Sequence, residues 1–148
     1  MSVLEELQDR VKVALKAGRK DEVGSLRYLI SELQKAAKDT RGTLTPDEEI
    51  KVLRRERKRR QEAMEAFRAG GRDDLAAHEE QEASLIDEFL PQLLDPAAAA
   101  ALVDQVVAES GATSVKDMGR VMSVLMERAG GRLDGKEASR MVKERLGG

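Results

Sequence analysis

Apolar residues recur along this chain at intervals of three and four, and never in a bounded alternating run, so the pattern predicts helices and no strand. Ser2 and Glu5 have capping-box spacing, and Val3, Leu4, Leu7, Val11, Ala14 and Leu15 then line one face to about Ala17. Gly18 to Lys20 break this helix. Asp21 is placed to cap a second, whose inner face reads Val23, Leu26, Leu29, Ile30, Leu33 and Ala37. Lys38 to Leu44, with Gly42, is a connector. Thr45, Pro46 and Glu48 then supply a cap, a first-turn proline and a capping-box acid for the longest helix, which Gly70 and Gly71 end.

On that third helix the expected inner face is Ile50, Leu53, Arg57, Arg60, Met64 and Phe67, so two arginines interrupt an apolar stripe. A desolvated arginine needs a counterion. The next helix, from Asp73 or Asp74 to Leu90, holds Glu79, Glu80, Glu82, Asp87 and Glu88, with Leu75, His78, Glu82, Leu85, Ile86 and Phe89 expected inward. Folding the two into a hairpin about Gly71–Arg72 makes Glu82 the expected partner of Arg60 and Asp87 that of Arg57.

Pro91 stops the fourth helix and Gln92 to Leu94 form a linker. Asp95–Pro96 starts a fifth, with Leu102, Val103, Val106 and Val107 inside, and Gly111 ends it. Ser114 is expected to cap a sixth, with Val115, Met118, Val121, Met122, Leu125 and Met126 in one stripe. Gly130 ends that helix, and Asp134 starts a seventh with Ala138, Met141, Val142 and Leu146. The expected architecture is all-α: an N-terminal helical domain, 1–93, containing a long antiparallel hairpin, and a C-terminal three-helix bundle, 94–148. The two Gly-Gly-Arg turns, at 70–72 and 130–132, share turn grammar without marking a repeat.

Composition removes several chemistries. With no cysteine there is no thiolate catalysis and no cysteine-based zinc site. His78 is the only histidine, which leaves almost no parts for a Ser-His-Asp triad and no second ligand for a histidine metal site. The Gly-Gly-Arg turns follow helices and lack the Lys-Ser/Thr ending of a phosphate-binding loop. No catalytic residue, metal or cofactor is assigned. The longest nonpolar run, Pro96 to Val103, is far short of a bilayer span and the N-terminus is acidic and amphipathic, so a soluble, cytoplasmic protein without membrane contact is expected.

A net charge of −2 requires any polyanion surface to be local. Residues 51–60 carry seven cations against Glu56 alone, and Lys51, Arg55, Lys58 and Arg59 should point away from the inner stripe. No aromatic platform accompanies them. From Ser110 onward eight cations, including Lys116, Arg120, Arg132 and Lys136, face five acids. A solvated outer face accounts for both groups as well. Gly119 is read as a mid-helix glycine, about 1 kcal/mol worse than alanine, which implies close approach of a helix or a ligand.

The stretches Leu26-Arg27, Gly71-Arg72-Asp73-Asp74-Leu75-Ala76, Leu90-Pro91-Gln92-Leu93, Gly111-Ala112-Thr113-Ser114, Lys116-Asp117-Met118-Gly119 with Val121-Met122, and Asp134-Gly135 together resemble the YqeY-like proteins over nearly the whole chain. Leu133 and the alanine run 97–101 depart from that pattern. The resemblance implies a helical N-terminal part and a small C-terminal domain similar to the tail of the B subunit of aspartyl/glutamyl-tRNA amidotransferase, which helps hold tRNA. It links such proteins to amidation with glutamine as the amide donor. The glutaminase centre belongs to another subunit of that enzyme, so the tail is what carries over. Lys116 to Met122 and Gly130 to Gly135, with Asp134, become the candidate tRNA-facing region. The expected partners are tRNA and an amidotransferase or other translation-related protein, with oligomeric state open. The competing readings are a protein–protein adaptor acting through the hairpin and a free-standing glutamine-dependent enzyme.

Overall fold

Seven α-helices and one 3₁₀ turn form the computed structural model, which describes residues 1–40 and 42–147. They are α1 (Val3–Lys16), α2 (Lys20–Asp39), α3 (Pro46–Ala69), α4 (Asp73–Asp87), α5 (Pro96–Ser110), α6 (Met118–Ala129) and α7 (Gly135–Arg145), with the 3₁₀ turn at Val115–Asp117. The described residues contain no strand. The chain divides into two compact units, Met1–Leu90 and Pro91–Gly148. Arg41, in the expected connector 38–44, and Gly148 lie outside the described residues.

In the first unit α1 packs on α2, α2 on α3, and α3 most extensively on α4. Leu7, Leu26, Leu33, Leu53 and Ile86 are completely or almost completely buried. Each such aliphatic side chain contributes about 2 kcal/mol by leaving water. The capping boxes at Ser2/Glu5 and Thr45/Glu48 both form. Asp21 is not the cap of α2: the helix already begins at Lys20, Arg19 holds the cap position without a side-chain bond, and Asp21 sits in the first turn, where its charge still favours the helix dipole.

The inner face of α3 differs from the expected one. Its buried residues are Glu49, Val52, Leu53, Glu56 and Met64, while Ile50, Arg57, Arg60 and Phe67 are only partly buried. Two carboxylates therefore occupy positions that an apolar reading of the helix assigned elsewhere, Glu49 met by main-chain amides and Glu56 by arginines. Glu49 accepts the amides of Val3 (3.3 Å) and Leu4 (2.9 Å), while Ser2 Oγ accepts that of Glu5 (3.1 Å). The first-turn donors of α1, which no helix satisfies internally, thus all find oxygen. Glu56, fully buried, lies 3.0 Å from Arg59 and 3.7 Å from Arg60.

The hairpin pairs form as the fold-back requires, Arg57 with Asp87 at 3.1 Å and Arg60 with Glu82 at 3.0 Å. Arg60 also lies 3.9 Å from Glu79 and 5.2 Å from the Tyr28 ring centroid. Across α1 and α2, Arg10 donates to Glu22 at 2.7 Å and reaches Glu88, just past α4, at 3.2 Å. That hydrogen bond from Arg10 is the main reason the Glu22 carboxyl titrates below its ordinary range. On α4, Ala76, Ala83, Leu85 and Ile86 are buried, and His78 points outward instead of in. The helix ends at Asp87 and not at Leu90, its last carbonyls being taken by tighter turns at Glu88, Phe89 and Leu90.

The second unit closes a separate core from Ala99, Val103 and Val106 of α5, Val121, Leu125 and Ala129 of α6, and Ala138, Met141 and Val142 of α7, with Leu133 and Leu146. Met118, Met122 and Met126 are only partly buried, and Val115 stands 39% exposed outside the stripe assigned to it. The reason is the 3₁₀ turn: Ser114 caps that turn and not α6, so Val115 precedes the helix whose face it was expected to join.

Candidate nucleic-acid interface

The loop leading into α6 is built by short polar side chains. The Ser114 hydroxyl accepts the Lys116 amide at 3.3 Å, and the Asp117 carboxylate accepts the Thr113 amide at 3.3 Å. Asp117 also pairs with Arg120 at 3.2 Å. The Thr113 amide, and then Arg120, hold the Asp117 carboxyl below its ordinary value. Arg120 gives a second donor to the Ser110 carbonyl at 2.7 Å, which fixes its guanidinium across the mouth of this loop. Lys116, Gly119 and Arg120 are all exposed, and Lys116 has no ion pair among the described residues.

Gly119 is the second residue of α6 and not a mid-helix one, because α6 begins at Met118. A Cβ built on it meets nothing within 4 Å, so no helix approaches it.

The other half of the candidate set lies at the opposite end of α6. Gly130 and Gly131 both take left-handed backbone (φ +57° and +82°) and turn the chain toward α7. Within that turn the Arg132 Nε donates to the Ala129 carbonyl at 3.0 Å, and the Arg132 carbonyl accepts the Leu94 amide at 2.8 Å. Asp134 caps α7 by accepting the Glu137 amide at 3.2 Å. Its role here is structural. Lys136 follows, exposed and without an ion pair among the described residues. The helix α6, about 18 Å long at 1.5 Å per residue, has Lys116 just before it and Arg120 in its first turn, with Arg132 and Lys136 beyond its other end. They form two sites and not one cluster.

The remaining arginines of this unit are committed to carboxylates: Arg128 to Glu109, Arg140 to Glu137 and Glu144, and Arg145 to Asp104. Those partners hold Glu109 and Glu137 below their ordinary values.

On α3, Lys51, Arg55 and Lys58 are exposed and carry no ion pair among the described residues, whereas Arg59 is drawn to Glu56. Asp47 and Glu62, both exposed, stand on the same outer face one turn before and one turn after these cations. The basic decade is thus a short positive segment bounded by acids.

His78 lies 3.5 Å from Glu82 Oε1, which also accepts the Ser25 hydroxyl at 3.3 Å. Among the described residues no group of three or more histidines and acids is placed to hold a metal ion. No helix among them is long and apolar enough to cross a membrane.

Glu49, Glu56 and the outer face of α2 are not singled out by the apolar periodicity. For the carboxylates no sequence signal exists, since a glutamate one position off an apolar stripe ordinarily points to water. For α2 the signal was present as the polar complement of the Val23–Leu26–Leu29–Leu33 face.

One curated relative, an uncharacterized protein of Schizosaccharomyces pombe, is 33% identical over 79 residues, or 53% of this chain. The match spans 64% of that protein, less than two thirds of its length. The family model described as "Yqey-like protein" matches residues 4–146, from the first turn of α1 through the last buried residue after α7. A match of that extent, over both units, places the chain in the YqeY-like family.

Proposed function

We propose that the protein is a non-catalytic tRNA-binding module, linked to tRNA-dependent amidation through the resemblance of its C-terminal unit to the amidotransferase B-subunit tail. The observation that carries this reading is how Arg120 and Arg132 are held. Each guanidinium donates to a main-chain carbonyl of its own unit, at 2.7 and 3.0 Å, and each stays exposed beside an unpaired lysine, Lys116 or Lys136. Carbonyl anchoring orients a guanidinium for phosphate contact; Arg132 has no carboxylate partner among the described residues, whereas Arg120 also pairs with Asp117 at 3.2 Å, a charge it would share with a phosphate. The two sites, toward the two ends of a helix about 18 Å long, suit contacts to phosphates several nucleotides apart.

The test is tRNA binding by the full chain as a function of salt. Lys116→Gln/Arg120→Gln/Arg132→Gln should weaken binding and flatten the salt dependence, by about 0.7–0.9 in the logarithmic slope per lost phosphate contact. Unchanged affinity and slope would remove the C-terminal unit from the reading.

A second reading, a protein adaptor, is favoured by the exposed Val13 and Leu15 on α1 and not by the hairpin, whose facing charges are used between α3 and α4. Recovery of a stoichiometric protein partner by a chain without tRNA affinity at low salt would select it.

A further inference from the structure

The outer face of α2 is a line of cations and small residues. Opposite the buried Val23, Leu26, Leu29 and Leu33 run Lys20, Gly24, Arg27, Ser31, Lys35 and Lys38, spaced i, i+4, i+7, i+11, i+15 and i+18, and all exposed. They span about 27 Å. No acid lies on the line; Asp21 and Asp39 flank its two ends a quarter-turn away. Lys35 leans toward Glu32 at 3.4 Å, while Lys20, Arg27 and Lys38 have no ion pair among the described residues.

Gly24 lies in the interior of a helix, the fifth residue of twenty. It costs about 1 kcal/mol relative to alanine, and within the chain nothing offsets it. A Cβ built there meets no atom within 4 Å. The bare backbone is open to something outside the chain. A hollow lies on each side of it, one of about 340 Å³ reaching Leu15, Arg19 and Arg27, the other of about 300 Å³ reaching Ser25, Tyr28 and Arg60. Tyr28, the only tyrosine, keeps 40% of its surface exposed with the Arg60 guanidinium against its ring.

We propose that this face binds a single-stranded RNA segment, with phosphates along Lys20, Arg27, Lys35 and Lys38, the sugar–phosphate chain passing over Gly24, and a base against Tyr28. A protein partner would need desolvated apolar anchors at the centre of the surface, and the line has none. Duplex RNA would offer phosphates to the lysines and leave Tyr28 and the two hollows unfilled. The inference concerns a different unit from the C-terminal sites, and rests on the tRNA reading only in choosing RNA over DNA.

The test uses the full chain and a mixed-sequence single-stranded 30-mer RNA. Lys20→Gln/Arg27→Gln/Lys35→Gln/Lys38→Gln should lower the logarithmic salt slope by about 2–3. Tyr28→Ala and Gly24→Gln should each weaken binding roughly tenfold at fixed salt with the slope nearly unchanged. Unfolding midpoints are recorded in parallel, and Gly24→Gln should bind worse while folding at least as well, which a purely structural role would not produce. Wild-type affinity and slope in all three variants overturn the inference, as does failure of the wild-type chain to bind the oligonucleotide at low salt, or preferential binding of an acidic peptide. Loss in the Lys116/Arg120/Arg132 variant with the α2 variants unaffected removes this inference alone; the opposite result removes the C-terminal reading alone.

Discussion

Glu49 in the first turn of α3 accepts the amide of Leu4 in the first turn of α1 at 2.9 Å, so one helix caps another across 45 residues of sequence. The carboxylate is 4% exposed. Both of its oxygens are engaged, and it stands at the positive end of the α1 dipole. Glu49→Ala should destabilise the first unit by about 1–2 kcal/mol, because it leaves two partly buried amides without their acceptor. Glu49→Gln, which keeps one acceptor and loses the charge, should cost about half as much. Urea unfolding gives the totals, and amide exchange at Val3 and Leu4 should accelerate in the alanine variant before the rest of the unit opens.

Arg60 and Arg57 sit one turn apart and should respond unequally. Arg60 serves Glu82, the fully buried Glu56 and Glu79, and its own side chain is 20% exposed. Arg60→Leu should cost about 2–4 kcal/mol by stranding buried carboxylate charge. Arg57→Leu, whose pair with Asp87 is 35% and 48% exposed, should cost less than about 1 kcal/mol. Equal losses in chemical denaturation would show that the hairpin does not depend on the Arg60 hub.

The Arg10–Glu22 pair fixes a pH dependence. Glu22 has its carboxyl lowered from 4.5 in the folded chain, so its contribution is present above that value and disappears as pH falls through the lower, folded one. Arg10→Gln should therefore be less stable than the parent at neutral pH, by at most about 1 kcal/mol given its partial exposure. The two should converge on acidification below about 4.5. A difference that persists unchanged at low pH would mean that packing by the arginine stem, and not the ion pair, sets it.

Two glycines at the ends of α6 should behave oppositely. Gly130 holds φ +57° at the C-terminal end, and Gly130→Ala should destabilise by about 1 kcal/mol. Gly119 has helical backbone with open space around it, and Gly119→Ala should stabilise by about 0.5 kcal/mol. Thermal midpoints resolve the signs. Loss of tRNA affinity in a more stable Gly119→Ala chain would mark that residue as part of the C-terminal contact.

Much of the fold could be read from caps and periodicity, since Ser2/Glu5, Thr45/Glu48, Asp95 and Asp134 each start the helix they were expected to start. The hairpin pairs were readable too, because a short turn and helical rise fix which residues come level. Burial of Glu49 and Glu56 was not, since it depends on donors 45 residues away or on competition among neighbouring arginines. The glycines show the same limit. Gly119 reads as a helix-interior residue only because the 3₁₀ turn before it leaves no signal in the sequence, while Gly24 truly lies inside a helix. For the candidate site, residue identity was legible and grouping was not: the length of α6 divides four cations into two pairs.

The Leu94 amide, at the entrance of the second unit, is satisfied by the Arg132 carbonyl of that same unit. Together with a core whose buried members all fall within residues 99–146 and against which Leu94 itself packs, this seals the segment's own starting edge. A stretch so finished is portable: grafted behind an unrelated protein from Pro91 onward, it should keep its shape.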